Sequence, residues 1–175
     1  WGVYSTEEAY LWANALQSST IMEKTTSPFE ITTEMAEFSE EEFLHFAEQA
    51  SNLRVERGFD GTIYLMSPVT SDYSAVNMDV CTLLNIWSLA DGSGRAYESS
   101  AGFRLSGKLM LSPDASWIRK ERLAALAPSQ KRGFKHICPD FVVEIRSPSD
   151  SLEQLKDKMI VWMNHGCRLA WLMDP

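Results

Sequence analysis

The residue pattern predicts an α/β (α+β) fold, a sandwich of helices around a mixed central sheet. Three observations carry that expectation. The end of the chain reads strand, helix, strand over 141–146, 152–163 and 168–173. A long amphipathic helix is expected over 72–90, because Val76, Val80, Leu83, Leu84 and Trp87 recur at helical spacing. Short segments bounded by Gly, Pro, Asp and Ser fill much of the remainder and read as strands.

The elements follow in order. Residues 1–37 read as an N-terminal extension to a domain over 38–175, with a helix expected from Glu7 to Leu16 and loops at 18–20 and 25–28. Ser39 and Glu42 have the spacing of a capping box, and Phe38 with Phe43 that of a hydrophobic staple. The helix they start should reach about Ala50. Strands over 53–56 and 62–66 form a hairpin turned at Gly58 and Asp60-Gly61, and Ser67-Pro68 ends it. Gly92 and Gly94 close the long helix. Strands are expected over 95–98, 103–106, 109–112 and 115–118, a short helix over 119–127, and a basic loop over 128–138. The terminal strand-helix-strand unit should be a right-handed parallel crossover.

Composition narrows the class. A chain of 175 residues at 45% hydrophobic makes one domain with a sizeable core the default. No apolar stretch approaches the roughly 20 residues of a membrane span. The first residues lack a basic start and an apolar run, so no secretory leader is expected. Cys81, Cys138 and Cys167 are odd in number and lack zinc spacing, which points to a reduced cytoplasm. Net charge is -8, which argues against nonspecific coating of nucleic acid. The charge is uneven: residues 1–100 hold 4 Lys+Arg against 16 Asp+Glu, and residues 101–175 hold 12 against 8. A phosphate-binding face on an acidic body has this character.

The chemistry concentrates in the basic part. Pro139-Asp140-Phe141-Val142-Val143-Glu144-Ile145-Arg146 reads as a buried strand with a carboxylate at its centre. Burying that carboxylate is costly unless it is paired, hydrogen-bonded or metal-bound. Side chains alternate on a strand, so Val142, Glu144 and Arg146 share one face. A salt bridge from Glu144 to Arg146 or to a neighbouring strand would satisfy it without any further function. Upstream, Ser112-Pro113-Asp114-Ala115-Ser116-Trp117 places a second carboxylate at the start of an apolar stretch. Two carboxylates on converging strands with lysines nearby are what a magnesium-dependent phosphodiesterase needs. There is no Gly-rich phosphate loop, no Gly-x-Ser-x-Gly and no zinc pattern. His45, His136 and His165 are scattered, and His136 reads as a loop residue.

These blocks, with Leu53-Arg54-Val55-Glu56, Gly61 to Pro68, and Lys158 ahead of Gly166 to Pro175, occur in the order of a known family. Over 38–175 the chain resembles the Uma-type restriction endonuclease domain, a bacterial branch of the PD-(D/E)XK nuclease superfamily. The resemblance implies a restriction-endonuclease-like core, a mixed central sheet flanked by helices with acidic residues gathered at one edge. It implies that Asp114 and Glu144 ligate Mg²⁺ (or Mn²⁺), with the Ile145 carbonyl as a third oxygen. Glu56 matches a family glutamate that would hold a water or a second metal. The superfamily lysine two residues after the second acid is here Arg146, a permanent cation suited to holding phosphate but not to acting as a base. Helical spacing leaves both Lys156 and Lys158 open as its replacement, and the family pattern selects Lys158.

The activity so implied is that of a metal-dependent endonuclease acting on DNA, in the cytoplasm and as a homodimer. Arg119, Lys120, Arg122, Lys131, Arg132 and Lys135 are candidates for contacts to backbone phosphates. The alternative is an inactive module of the same fold that binds nucleic acid or protein. The displaced lysine and the overall acidity favour that alternative.

Overall fold

The computed structural model describes residues 30–31, 38–50, 53–66, 69–130 and 133–175. The helix expected near the N-terminus, the 18–20 and 25–28 loops, Ser67-Pro68, and Lys131 and Arg132 lie outside the described residues.

Local signals set the element ends. Helix α1 (Glu40–Gln49) starts on Ser39, whose hydroxyl accepts the Glu42 N–H at 3.2 Å while the Glu42 carboxylate accepts the Ser39 N–H at 2.9 Å. Two orphan donors of the first turn are thereby satisfied. Phe43 buries among Val55, Ile63 and Met110, with Phe38 packed alongside. Strands β2 (Arg54–Arg57) and β3 (Ile63–Met66) form the expected hairpin, and Asp60 accepts the Thr62 N–H in its turn. A two-residue strand, β1 (Glu30–Ile31), pairs with β3 from within the stretch expected to be an extension. Helix α2 (Ser71–Asp91) ends at Gly92 with φ of 71°, a conformation that favours glycine.

Strands β4 (Gly94–Glu98), β7 (Ala115–Arg119) and β9 (Phe141–Ile145) then form an antiparallel meander. Helix α4 (Leu152–Asn164) crosses over to β10 (Leu169–Met173), which pairs with β9 in parallel as expected, from Phe141↔Leu169 to Ile145↔Met173. Between these lie β5 (Phe103–Arg104), β6 (Met110–Leu111), the short helix α3 (Lys120–Ala125) and β8 (Lys135–His136).

A single central sheet is expected from the sequence, whereas the described strands form two. One has the order β10-β9-β7-β4, the other β1-β3-β2-β6-β5-β8. The segments inserted between β4 and β7 and between β7 and β9 leave the meander and extend the β2–β3 hairpin instead. Strand β8 arises in the expected basic loop, where two residues are too few for an alternation signal.

Alternation sorts the four-stranded sheet into two faces. Ala115, Val143 and Ile145 point to α2 and meet Val76, Val80 and Leu84. Ile118 and Val142 point to α4 and meet Trp162, which is completely buried. Removing an aromatic side chain of that size from water is worth roughly 5 kcal/mol by transfer, so Trp162 is the main apolar anchor of α4. On the α2 side, a Cβ at Gly94 would lie 2.0 Å from the Trp117 ring, so only glycine lets that indole rest on β4. Trp87 packs on the same indole at 5.2 Å between ring centroids. Trp117 and Trp162 are thus buried, and Trp87 and Trp171 are about half exposed.

Candidate active site

Pro113 is fully buried where the chain passes from β6 in one sheet to β7 in the other. Asp114 follows it. The Asp114 N–H donates to the Val143 carbonyl at 3.0 Å, and its carboxylate Oδ2 accepts the Ile145 N–H at 2.7 Å. Both bonds tie Asp114 to β9, just beyond the end of the β7–β9 ladder. Glu144 sits on the α4 side of β9, opposite in direction to Val143 and Ile145. Asp114 lies one residue before β7, and its charge reaches Glu144 and, on the α2 side, Tyr73.

Helix α4 supplies two donors one turn apart. The Trp162 indole N–H donates to Glu144 Oε1 at 2.8 Å, and the Lys158 ammonium lies 3.1 Å from the same oxygen. Residues four apart on a helix share a face, and here that face is aimed at Glu144. Lys158 also donates to Glu56 Oε1 at 2.9 Å and to the Ser112 carbonyl at 3.2 Å. Lys156 instead pairs with Glu153 in solvent, at 2.8 Å.

The six-stranded sheet contributes the remaining charges. Arg54 and Glu56 are two apart on β2 and share a face. Glu56 Oε1 accepts the Ser112 N–H at 2.8 Å. Arg54 donates to Asp114 Oδ1 at 2.7 Å and to the Ser112 carbonyl, and its guanidinium lies 3.6 Å from Glu56. Three carboxylates and two cations thus meet at the junction of the sheets. Glu56, Asp114 and Glu144 are all buried, each with less than a twentieth of its surface exposed.

Burial penalises ionisation of Glu144, and the charges of Asp114 and Glu56 add to that; Lys158 and Arg54 oppose it. The balance pushes its pKa up to about 7. Burial works against the Lys158 charge, but Glu144 and Glu56 outweigh it and raise its pKa. Burial likewise opposes the Arg54 charge, and Asp114, Glu56 and Glu144 overcome it, so Arg54 is held firmly charged.

The other candidates stand elsewhere. The Ile145 carbonyl accepts the Tyr73 hydroxyl at 3.0 Å, on the α2 side. Burial, then the nearby Asp114 charge, raises the Tyr73 pKa, so that hydroxyl stays protonated. Arg146 does not join the cluster. The β9 ladder ends at Ile145↔Met173, so Arg146 comes opposite Asp174 and pairs with it at 3.1 Å, its Nε donating to the Asp150 carbonyl at 3.3 Å. Of the basic residues, Arg122 pairs with Asp140 at 3.0 Å, Lys120 donates to the Gly92 carbonyl, and Lys135 lies over the Tyr97 ring. His136 bonds the Leu105 carbonyl at 2.6 Å. Sequence reasoning missed Arg54, Tyr73 and the indole of Trp162 as partners of the acidic groups. The spacing of Arg54 two residues before Glu56 was the available signal.

Among the described residues, no three Asp, Glu, His or Cys side chains form a ready-made metal cluster. The donor chemistry still suits a hard divalent cation, because the carboxylates supply oxygen ligands and outnumber the two cations among them. No helix of the described residues is long and apolar enough to cross a membrane.

Comparison with known proteins bears on this arrangement. The model of a family named Uma2 and described as putative restriction endonucleases matches residues 40–175. Among solved structures, the chain is similar to a putative nuclease of the DUF820 group from Anabaena variabilis, with a TM-score of 0.66 and 22% identity. The alignment covers 79% of this chain and 75% of that one. A likeness at that identity speaks to the fold alone. No curated protein matches the chain.

Proposed function

The chain belongs to the Uma2 family of putative restriction endonucleases, and we propose that it hydrolyses phosphodiester bonds of DNA with a divalent cation, Mg²⁺ or Mn²⁺. One observation carries this reading: Asp114, Glu56 and Glu144 meet in one buried cluster around Arg54 and Lys158, with Lys158 in hydrogen-bond reach of Glu144. In this reading residues 38–175 are the catalytic domain and 1–37 an extension. A homodimer with two sites would cut both strands of a duplex. The cytoplasm is the compartment that the free thiols suit.

Asp114 and Glu144 would hold the cation, while the Ile145 carbonyl stays with the Tyr73 hydroxyl. When bound, the cation would supply Lewis acidity toward water and offset charge on the phosphate. The chain's own residues do the rest. Glu144 must be ionised to ligate, which its pKa of about 7 permits at and above neutrality. The Trp162 N–H fixes one oxygen of that carboxylate and so orients the other. Glu144 and Glu56 favour the charged form of Lys158, and its charge would stabilise the negative charge that builds on the phosphoryl oxygens. Glu56 positions Lys158 through their 2.9 Å bond.

The test is cleavage of supercoiled and linear duplex DNA with Mg²⁺ or Mn²⁺, by the wild-type chain and by Glu144→Gln. Metal-dependent cleavage that Glu144→Gln abolishes supports the reading. Equal cleavage by both proteins, or none by either, refutes it. The contact of Arg54 with Asp114 favours a second reading, a noncatalytic module whose acidic site is neutralised from within. That reading predicts DNA or protein binding indifferent to divalent metal.

A further inference from the structure

We propose that Arg54 is a built-in counter-cation that guards Asp114, and that a divalent metal enters the site only by displacing it. This rests on the metal-dependent reading above. Asp114 has two carboxylate oxygens. The Ile145 N–H takes Oδ2 at 2.7 Å, and the Arg54 guanidinium takes Oδ1 at 2.7 Å. The oxygen left for a metal is the one that Arg54 holds. A guanidinium cannot shed its proton to make way. A dication beside it would meet a fixed like charge across a small, buried gap, where repulsion is weakly screened. Arg54 must therefore move.

The two cations of the cluster are not equally free to do so. Lys158 donates to Glu56, Ser112 and Glu144, which matches the three protons of an ammonium. Arg54 is held incompletely. Its Nε is buried and makes no hydrogen bond, so a donor is already unsatisfied where it sits. Its side chain keeps 20% of its surface exposed, against 15% for Lys158. Release would satisfy that donor in water and return the Arg54 side chain its rotamer freedom. Occupancy of Asp114 thus alternates between an internal cation and an external one. The metal-free chain is held closed by Arg54, and its apparent metal affinity is lowered by the fraction of time that Arg54 is in place.

The experiment is calorimetric titration of Mn²⁺ into the full chain in the wild-type, Arg54→Met and Arg54→Lys forms, with Glu144→Gln as the site control. Arg54→Met is expected to bind Mn²⁺ at least tenfold more tightly than wild type, and Glu144→Gln to lose binding. Saturating Mn²⁺ should also raise the melting temperature of Arg54→Met more than that of wild type, because the metal replaces a missing charge. Wild-type binding with equal or weaker binding by Arg54→Met overturns the guard and leaves the metal site standing. No binding by any form overturns both. If Arg54→Met does not fold, Arg54→Lys decides. Its shorter, single-point contact should give an affinity gain of at least threefold, and no gain overturns the guard.

Discussion

Replacing Glu144 by Gln should change how stability depends on pH, in a direction the cluster fixes. The folded state raises the Glu144 pKa from 4.5 to about 7, through burial first and then its acidic neighbours. A raised carboxyl pKa means that the folded chain binds a proton which the unfolded chain has released. The stability from that proton is fully present below about 4.5 and is lost as pH rises through about 7. At about 1.4 kcal/mol per pH unit, the full shift is worth roughly 3 kcal/mol, of which roughly 2–3 kcal/mol falls between pH 5 and pH 8. Gln keeps the shape and an acceptor for Trp162 but cannot titrate. Urea unfolding of both proteins in EDTA at pH 5 and pH 8 isolates the effect, since groups common to both cancel. Glu144→Gln should gain roughly 2–3 kcal/mol on wild type as pH rises across that range. A stability difference that stays flat with pH would mean that Glu144 is ionised at pH 5, and the account of a costly buried charge would be wrong.

Other perturbations bear on the same architecture. Trp162→Phe removes the donor to Glu144 Oε1 and should cost about 1–3 kcal/mol from that lost bond in addition to its smaller ring; it should also move the Glu144 pH transition higher, readable in the same urea series. Lys158→Met leaves Glu56 and Glu144 buried without their shared cation, and thermal unfolding should report a loss of about 3–5 kcal/mol. Gly94→Ala drives a Cβ into the Trp117 ring, which Trp87 backs, so it should cost about 3 kcal/mol or more by denaturant unfolding.

Parts of this site were legible in the sequence and parts were not, for identifiable reasons. Glu144 stood out because a charge inside an apolar strand needs a partner, and its face followed from alternation. Lys158 was not separable from Lys156 by spacing, since both flank the apolar stripe of α4. What separates them is the position of β2, whose Glu56 is 102 residues away along the chain and bonds Lys158 but not Lys156. Arg54 was hidden for a related reason. Its face on β2 could be read, but the place where that face docks depends on β6 crossing between sheets at Ser112-Pro113. Arg146 shows the limit of alternation: the rule holds while the ladder lasts, and the ladder stops one residue earlier. The split into two sheets was also beyond sequence reading, because two-residue strands such as β5, β6 and β8 carry too little pattern.

The position of Ser112 has a kinetic consequence. Its N–H is bound by Glu56 of one sheet, and its carbonyl by Arg54 of that sheet and by Lys158 of the helix that packs on the other. Contacts that close such long loops bear their entropic cost before they bring any return, so they tend to form late in folding. The four-stranded sheet can assemble from nearer neighbours, whereas the charge cluster exists only once the two sheets have docked. Docking is thus the step that withdraws the carboxylates from water. A brief parting of the sheets, well short of global unfolding, would return them to it. The exchange rate of the Ser112 amide would then report how often the site opens.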